Sequence, residues 1–254
     1  MKTLYFDLGM GAAGDMLTAA LYELMPDKNR TLEMLNGLGL PGVVFVPEAA
    51  SKCGVTGTHM RVVIDGREEH AEDAHCHEHH GEHHHHHASM ADISALVSGL
   101  KVSENVKKNV LAVYTRIAQA ESQVHGVPVT EIHFHEVGTM DALADITAAA
   151  FLMEQLAPEK VLASPVQVGF GKTRCAHGLL PVPAPATALL LLGVPIRAGN
   201  IEGELCTPTG AALVRQYVSA FGPMPLMTVE RIGYGLGQKD FPAANCLRSM
   251  LGES

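Results

Sequence analysis

Thr3-Leu4-Tyr5-Phe6-Asp7-Leu8-Gly9-Met10-Gly11-Ala12-Ala13-Gly14-Asp15-Met16 opens the chain. Its first four residues suit a strand, its middle is a turn of small residues, and apolar positions then recur at helical spacing (Met16, Leu17, Ala20, Leu21, Leu24). The reading is strand, glycine turn, then a helix over about 12–24. A second helix over about 31–38 stops at Gly39 and Pro41, and strands at 43–46 and 59–64 flank a Gly/Thr turn at 54–57. Further along, the spacing predicts helices at about 90–99, 103–124, 139–156, 184–192 and 209–221. Strands are predicted at 161–168, 227–232 and 246–251. The expected class is α/β, with α+β the alternative: a small open sheet with helices, followed by a second mixed α/β unit. No internal repeat is visible.

With 254 residues, 47% of them hydrophobic, the chain is long enough for a sizeable core. Its longest apolar stretch, Ala184–Val194 broken by Thr187, falls short of the ~18–20 residues that a bilayer span needs. No membrane segment and no secretion signal are expected. The five cysteines (Cys53, Cys76, Cys175, Cys206, Cys246) form no CxxC pair, which argues against a disulfide framework or a zinc ribbon and for a reducing cytoplasm. A net charge of −9 without a basic cluster argues against nucleic-acid binding.

That charge is localised. Between Asp65 and His87 seven acids face one base, and ten of the eighteen residues in 70–87 are histidine. The segment has no apolar residue larger than Ala, so it reads as a loop that buries nothing. It divides the chain into an N-terminal unit 1–68, a histidine-rich loop 69–88 and a C-terminal unit 89–254. Imidazole is a common ligand for Ni, Zn and Cu, so His75, His77, His79, His80, His83, His84, His85, His86 and His87 are candidate metal ligands. An expression tag and a solvated linker are the plainer alternatives.

Three other stretches carry candidate chemistry. In Glu131-Ile132-His133-Phe134-His135-Glu136-Val137-Gly138-Thr139-Met140-Asp141, an extended backbone would put His133 and His135 on one face. Thr139 can cap the following helix, on which Asp141 and Asp145 stack at i, i+4. Two histidines and a carboxylate can hold a divalent metal with open positions; a structural polar network is the alternative. The glycine turn, with Gly11, Gly14 and Asp15, contains GxGxxG, but no strand follows at the distance a dinucleotide fold needs. Its small residues can still cradle a phosphate or carboxylate at a helix N-terminus. Cys206-Thr207-Pro208-Thr209-Gly210 reads as an N-cap with proline in the first helical position, offering Thr207 and Thr209 to an anion. The turn at His177 looks similar. Tight structural turns explain each of these equally well.

Taken in order, FDLGMGAAGDM, the histidine loop, VHG with HFHEVGTMDALADI, HGLLPVPAPATALLL and ELCTPTGAAL resemble the LarC family of nickel-insertion proteins over nearly the whole chain. The resemblance implies insertion of nickel into pyridinium-3,5-bisthiocarboxylic acid mononucleotide. That reaction makes the metal–carbon and metal–sulfur bonds of the nickel-pincer cofactor of lactate racemase. Replacing a ring hydrogen by nickel needs a base, for which His133, His135, Glu136, Asp141, Asp145 and His177 are candidates. Longer members are implied to carry a C-terminal domain that binds CTP and manganese. This sequence ends at Ser254, about where that domain would begin, so a separate C-terminal CTP-binding polypeptide is an expected partner. Two other functions fit the residues: a non-enzymatic nickel store or metallochaperone, and a metal-dependent hydrolase.

Overall fold

The structure, a computed structural model, describes residues 1–68, 88–134, 136–175 and 178–254. The chain runs β1 (Lys2–Asp7), α1 (Gly14–Glu23), α2 (Lys28–Asn36), β2 (Val43–Lys52), β3 (Val55–Ile64) and β4 (Arg67–Glu68). After the histidine segment come β5 (Ala88–Ser89), α3 (Met90–Gly99), α4 (Glu104–His125), β6 (His133–Phe134), α5 (Met140–Leu156), β7 (Lys160–Ala163) and β8 (Val166–Gln167). Then follow β9 (Gly169–Phe170), β10 (Lys172–Cys175), β11 (Gly178–Pro181), α6 (Pro185–Leu190), β12 (Ile196–Arg197) and β13 (Gly203–Glu204). The described chain closes with α7 (Pro208–Tyr217), β14 (Ala220–Phe221), β15 (Thr228–Leu236) and β16 (Cys246–Glu253).

One eight-stranded mixed sheet, ordered β14-β7-β1-β16-β15-β3-β2 with β4 beside β3, organises the α/β fold. Its strands come from both sides of the histidine segment. β1 is rich in strand-forming residues and lies in the interior of the sheet, parallel to β7 (Thr3↔Lys160 to Phe6↔Ala163) and antiparallel to β16 (Lys2↔Glu253 to Asp7↔Arg248). β15 continues the sheet from β16 and meets β3 in parallel at Gly235↔Thr58. β2 and β3, ten residues each, form a hairpin around Cys53 and Gly54, both at positive φ.

The helices cover the sheet face that Leu4, Phe6, Met60, Val62, Leu247 and Leu251 present. α5 is buried along most of its length, which explains its run of Ala, Ile, Phe and Leu. α1 packs against α5 and β15, and α4 packs against α5, α6 and α7. Tyr114 on α4 meets Phe134 edge-on, ring centroids 5.6 Å apart, and so anchors β6 to the core.

Two local expectations are corrected. The strand predicted over 161–168 is two, because the chain breaks at Ser164-Pro165: the Ser164 hydroxyl accepts the Leu8 amide at 2.8 Å, and β8 then pairs with β12. The helix predicted to 221 ends at Tyr217. Val218 is extended there, and Ala220–Phe221 hydrogen-bonds to β7 as an edge strand. Before β6 the chain makes a 3-10 turn at Val129–Glu131, for which the fixed φ of Pro128 is suited.

Candidate functional site

The glycine turn after β1 and the loop before α7 lock together. The Ala12 amide donates to the Leu205 carbonyl at 3.0 Å, and the Thr207 amide donates to the Ala12 carbonyl at 3.0 Å. The contact excludes side chains. A Cβ on Gly11 would stand 1.9 Å from the Leu205 oxygen, and one on Gly210 would stand 2.1 Å from the Ala12 oxygen. Gly11 also sits at φ +90°, where an L side chain is strained. α1 and α7 therefore begin side by side. α7 is capped as expected: Thr207 Oγ1 accepts the Gly210 amide at 3.2 Å and lies 2.9 Å from Thr209 Oγ1, with Pro208 in the first turn. Cys206 is buried in the joint, and burial together with the nearby Glu204 pushes its thiol far up in pKa. α1 differs: its N-cap is Ala13, which makes no side-chain capping bond.

Into that start of α1 comes a carboxylate. A Cβ on Gly14 would stand 2.6 Å from Asp145 Oδ2, so the absent side chain of Gly14 is what admits Asp145. Asp145 is 6% exposed, and among the described residues its Oδ1 has no hydrogen-bond partner. Burial, with Asp141 and Asp15 as neighbouring negative charges, holds its pKa well above the ordinary carboxylate range. Asp141 occupies the first turn of α5, where Thr139 is the N-cap and its hydroxyl accepts the Ala142 amide at 3.3 Å. Asp15 is partly exposed as a residue, but protein surrounds its carboxyl. Oδ1 accepts the Met16 amide at 2.8 Å; desolvation raises its pKa while His59 lowers it. The buried Tyr114 hydroxyl, also without a partner among the described residues, lies in the field of Asp145 and Asp141.

A cleft of about 170 Å³ lies where the end of α4 and the starts of α6 and α7 approach the β10–β11 hairpin. Arg174 and Cys175 from the hairpin and Pro185 and Pro208 at the helix starts line it. Glu204 and the His125–Glu121 pair (3.3 Å) add polar groups. Helix starts carry partial positive charge, which suits an anionic ligand.

Three groups at the rim of the glycine turn escaped the sequence reading. Arg248 pairs with Asp7 at 2.6 Å, and the Arg197 guanidinium lies over Gly9, 3.4 Å from where its Cβ would be. His59 on β3 is in hydrogen-bond contact with the Leu236 carbonyl at 3.0 Å. None belongs to a motif. For Arg197 and Arg248 the available signal was position near a strand end beside the turn, whereas His59, in the middle of β3, offered none.

Of the residues singled out in the sequence, the structure gathers Gly11, Gly14, Asp15, Thr207, Thr209, Asp141 and Asp145 around two helix starts. His133 is exposed on β6. Among the described residues no three His, Cys, Asp or Glu side chains gather closely enough to hold a metal ion. His75, His77, His79, His80, His83, His84, His85, His86 and His87, together with His135, His177 and the side chain of Glu136, lie outside the described residues. No helix among the described residues is long and apolar enough to cross a membrane.

Comparison with known proteins agrees with this arrangement of motifs. The nickel insertion protein family matches residues 4–254. A pyridinium-3,5-bisthiocarboxylic acid mononucleotide nickel insertion protein of Desulfitobacterium hafniense is 44% identical over 253 residues, covering 100% of this chain and 59% of the relative. Relatives of the same description in Clostridium kluyveri and Geobacillus kaustophilus are 40% and 38% identical, with 62% and 60% of their lengths covered. The chain thus spans about three fifths of the curated relatives it matches. No solved structure matches. On its motifs, its fold and a match running from residue 4 to residue 254, the chain belongs to the nickel insertion protein family.

Proposed function

We propose that this chain is the metal-inserting part of a nickel insertion protein, acting on pyridinium-3,5-bisthiocarboxylic acid mononucleotide, with nickel as the substrate metal. The observation that carries the reading is the joint of the α1 and α7 starts, with the partnerless Oδ1 of buried Asp145 against Gly14. A mononucleotide needs a place for its phosphate, which the amides at these helix starts and the guanidinium of Arg197 supply. Inserting nickel breaks one ring C–H bond. Its electron pair becomes the nickel–carbon bond, the proton leaves, and no redox change occurs. A desolvated carboxylate with an elevated pKa is a suitable proton acceptor near neutral pH, so Asp145 and Asp15 are the described groups best suited to that role. His133, His135, Glu136, Asp141 and His177 are the remaining candidates. The histidines of 70–87 gather nickel and hand it on.

CTP and manganese enter through the C-terminal part that longer relatives carry, on this chain's partner polypeptide or on a further domain. The donor sets among the described residues here do not form a site for the ion, and no step above runs through it. The free thiols of Cys53, Cys175, Cys206 and Cys246 agree with a reducing cytoplasm.

The test is reconstitution with the pyridinium substrate, nickel and CTP, with and without a relative's C-terminal part, reading the nickel-bearing product by mass. Product is expected with the C-terminal part present, and Asp145→Asn lowers its rate at least 100-fold. If deletion of 70–87 abolishes nickel retention while no product forms under any condition, the chain is a nickel store. Hydrolysis of phosphate esters or amides without the pyridinium substrate would instead mark a metal-dependent hydrolase.

A further inference from the structure

His59 stands alone in β3, outside every motif, yet its ring is fixed. A carbonyl can only accept, so the 3.0 Å contact with Leu236 makes Nδ1 the protonated nitrogen and leaves the lone pair on Nε2. That nitrogen has no hydrogen-bond partner among the described residues, and the ring is half-buried. Imidazole anchored through Nδ1–H to a backbone carbonyl, with Nε2 open, is the arrangement that metal-binding histidines adopt.

The start of α1 lies alongside. A Cβ on Gly235, which pairs with Thr58 next to His59, would stand 1.8 Å from the Met16 carbonyl. One on Gly237, next to Leu236, would stand 3.0 Å from Met16 Sδ. Asp15 precedes Met16 and lies in the electrostatic field of His59. Its Oδ1 is engaged by the Met16 amide. The open imidazole nitrogen and the Asp15 carboxylate thus lie on the same edge of the glycine turn, without pairing directly.

We propose that His59 Nε2, with the Asp15 carboxylate as its charge partner, is the landing site that takes a divalent nickel ion from the histidine segment and presents it at the glycine turn. Two protein donors leave most of the coordination sphere open. Water fills it first, and the sulfur donors of the substrate replace water as the ion moves on. A transit site must release its ion, and a small donor set suits that better than a closed cage. The assignment rests on the nickel-insertion reading above.

The test uses the full chain with the ten histidines of 70–87 changed to serine, so that the segment no longer masks other sites, titrated with Ni²⁺ alone. Side-chain imidazole resonances report the ligand directly, since paramagnetic nickel broadens the ring it binds. The His59 signals are expected to vanish by the first equivalent, ahead of His125 and His133. His59→Gln keeps a donor for the Leu236 carbonyl but loses the imidazole, and is expected to weaken nickel binding at least tenfold with an unchanged thermal midpoint. In the otherwise unaltered chain the same substitution raises the apparent KM for nickel about tenfold and leaves kcat at saturating nickel within twofold. Survival of the His59 signals at one equivalent, or unchanged nickel affinity in His59→Gln, overturns the landing site. Should His59→Gln not fold, the resonance titration decides alone. Loss of the His59 signals without any insertion product supports the landing site and removes the insertion reading. Insertion that proceeds with the His59 signals intact does the reverse.

Discussion

α1 and α7 start side by side, joined through Ala12, Leu205 and Thr207, but their first turns are finished differently. α7 closes on itself: Thr207 caps it, Thr209 supports the cap, and Pro208 removes one amide that would otherwise need a partner. α1 has alanine at the cap and glycine next; its own Asp15 takes the Met16 amide at 2.8 Å, and Asp145 from another helix stands against Gly14. A helix start satisfied by its own hydroxyl has fewer amides left for a ligand. One left to a desolvated carboxylate that itself has an unpartnered oxygen has an incomplete polar set, and that incompleteness is where a substrate fits.

The contrast can be broken most severely at the joint. Gly11→Ala puts a Cβ on the Leu205 oxygen and a side chain at positive φ, and is expected to cost about 3 kcal/mol or more. For a chain of this size that lowers the thermal midpoint by roughly 6–12 °C in a calorimetric scan. Gly14→Ala forces Asp145 aside and is expected to cost about 2 kcal/mol. Because the clash is with that one side chain, the cost shrinks in an Asp145→Ala background, and equal costs in both backgrounds would disprove the contact.

Asp145→Asn sharpens the comparison through pH. A carboxyl whose pKa is raised by folding binds its proton more tightly in the folded state, so stability falls as pH climbs from the ordinary carboxylate range toward the raised value. The asparagine variant lacks that fall, and its thermal midpoint relative to the parent is expected to rise as pH climbs above the ordinary carboxylate range. A difference that does not change with pH above that range would show that Asp145 titrates normally. At the closed start, Thr207→Ala is expected to cost about 1 kcal/mol by urea denaturation. Ala13→Ser, which offers α1 the cap it lacks, should gain a few tenths of a kcal/mol to about 1 kcal/mol and weaken binding of the pyridinium mononucleotide.

Much of this region was legible in the chain itself. Strand β1, the glycine turn and α1 follow from β-forming residues giving way to small residues and then to helical periodicity. Thr139 and Thr207 declare themselves as caps by residue type and position. The stacking of Asp141 and Asp145 on α5 follows from 3.6-residue geometry alone. What the chain did not disclose is long-range. The pairing of Ala12 with residues 205–207 depends on β1 lying between β7 and β16, and strand order cannot be read from local pattern. The same holds for Asp145 meeting Gly14, which looked like one of many small residues in a turn. His59 gave no signal at all, since a single histidine in a strand is usually a surface residue. Its significance comes from Leu236, 177 positions away. Local errors had a similar origin: at Ser164-Pro165 and Val218, hydrogen bonds to a neighbouring segment outweighed the local periodicity.

The central claim is that the mononucleotide sits where α1 and α7 begin. Backbone hydrogen exchange of the full chain, with and without saturating pyridinium mononucleotide, addresses it amide by amide. The account predicts slowed exchange concentrated at residues 9–16 and 205–210, with the outer strands β2 and β3 unchanged beyond His59. Slowed exchange elsewhere, with those two loops exchanging at the same rate in both states, would contradict it.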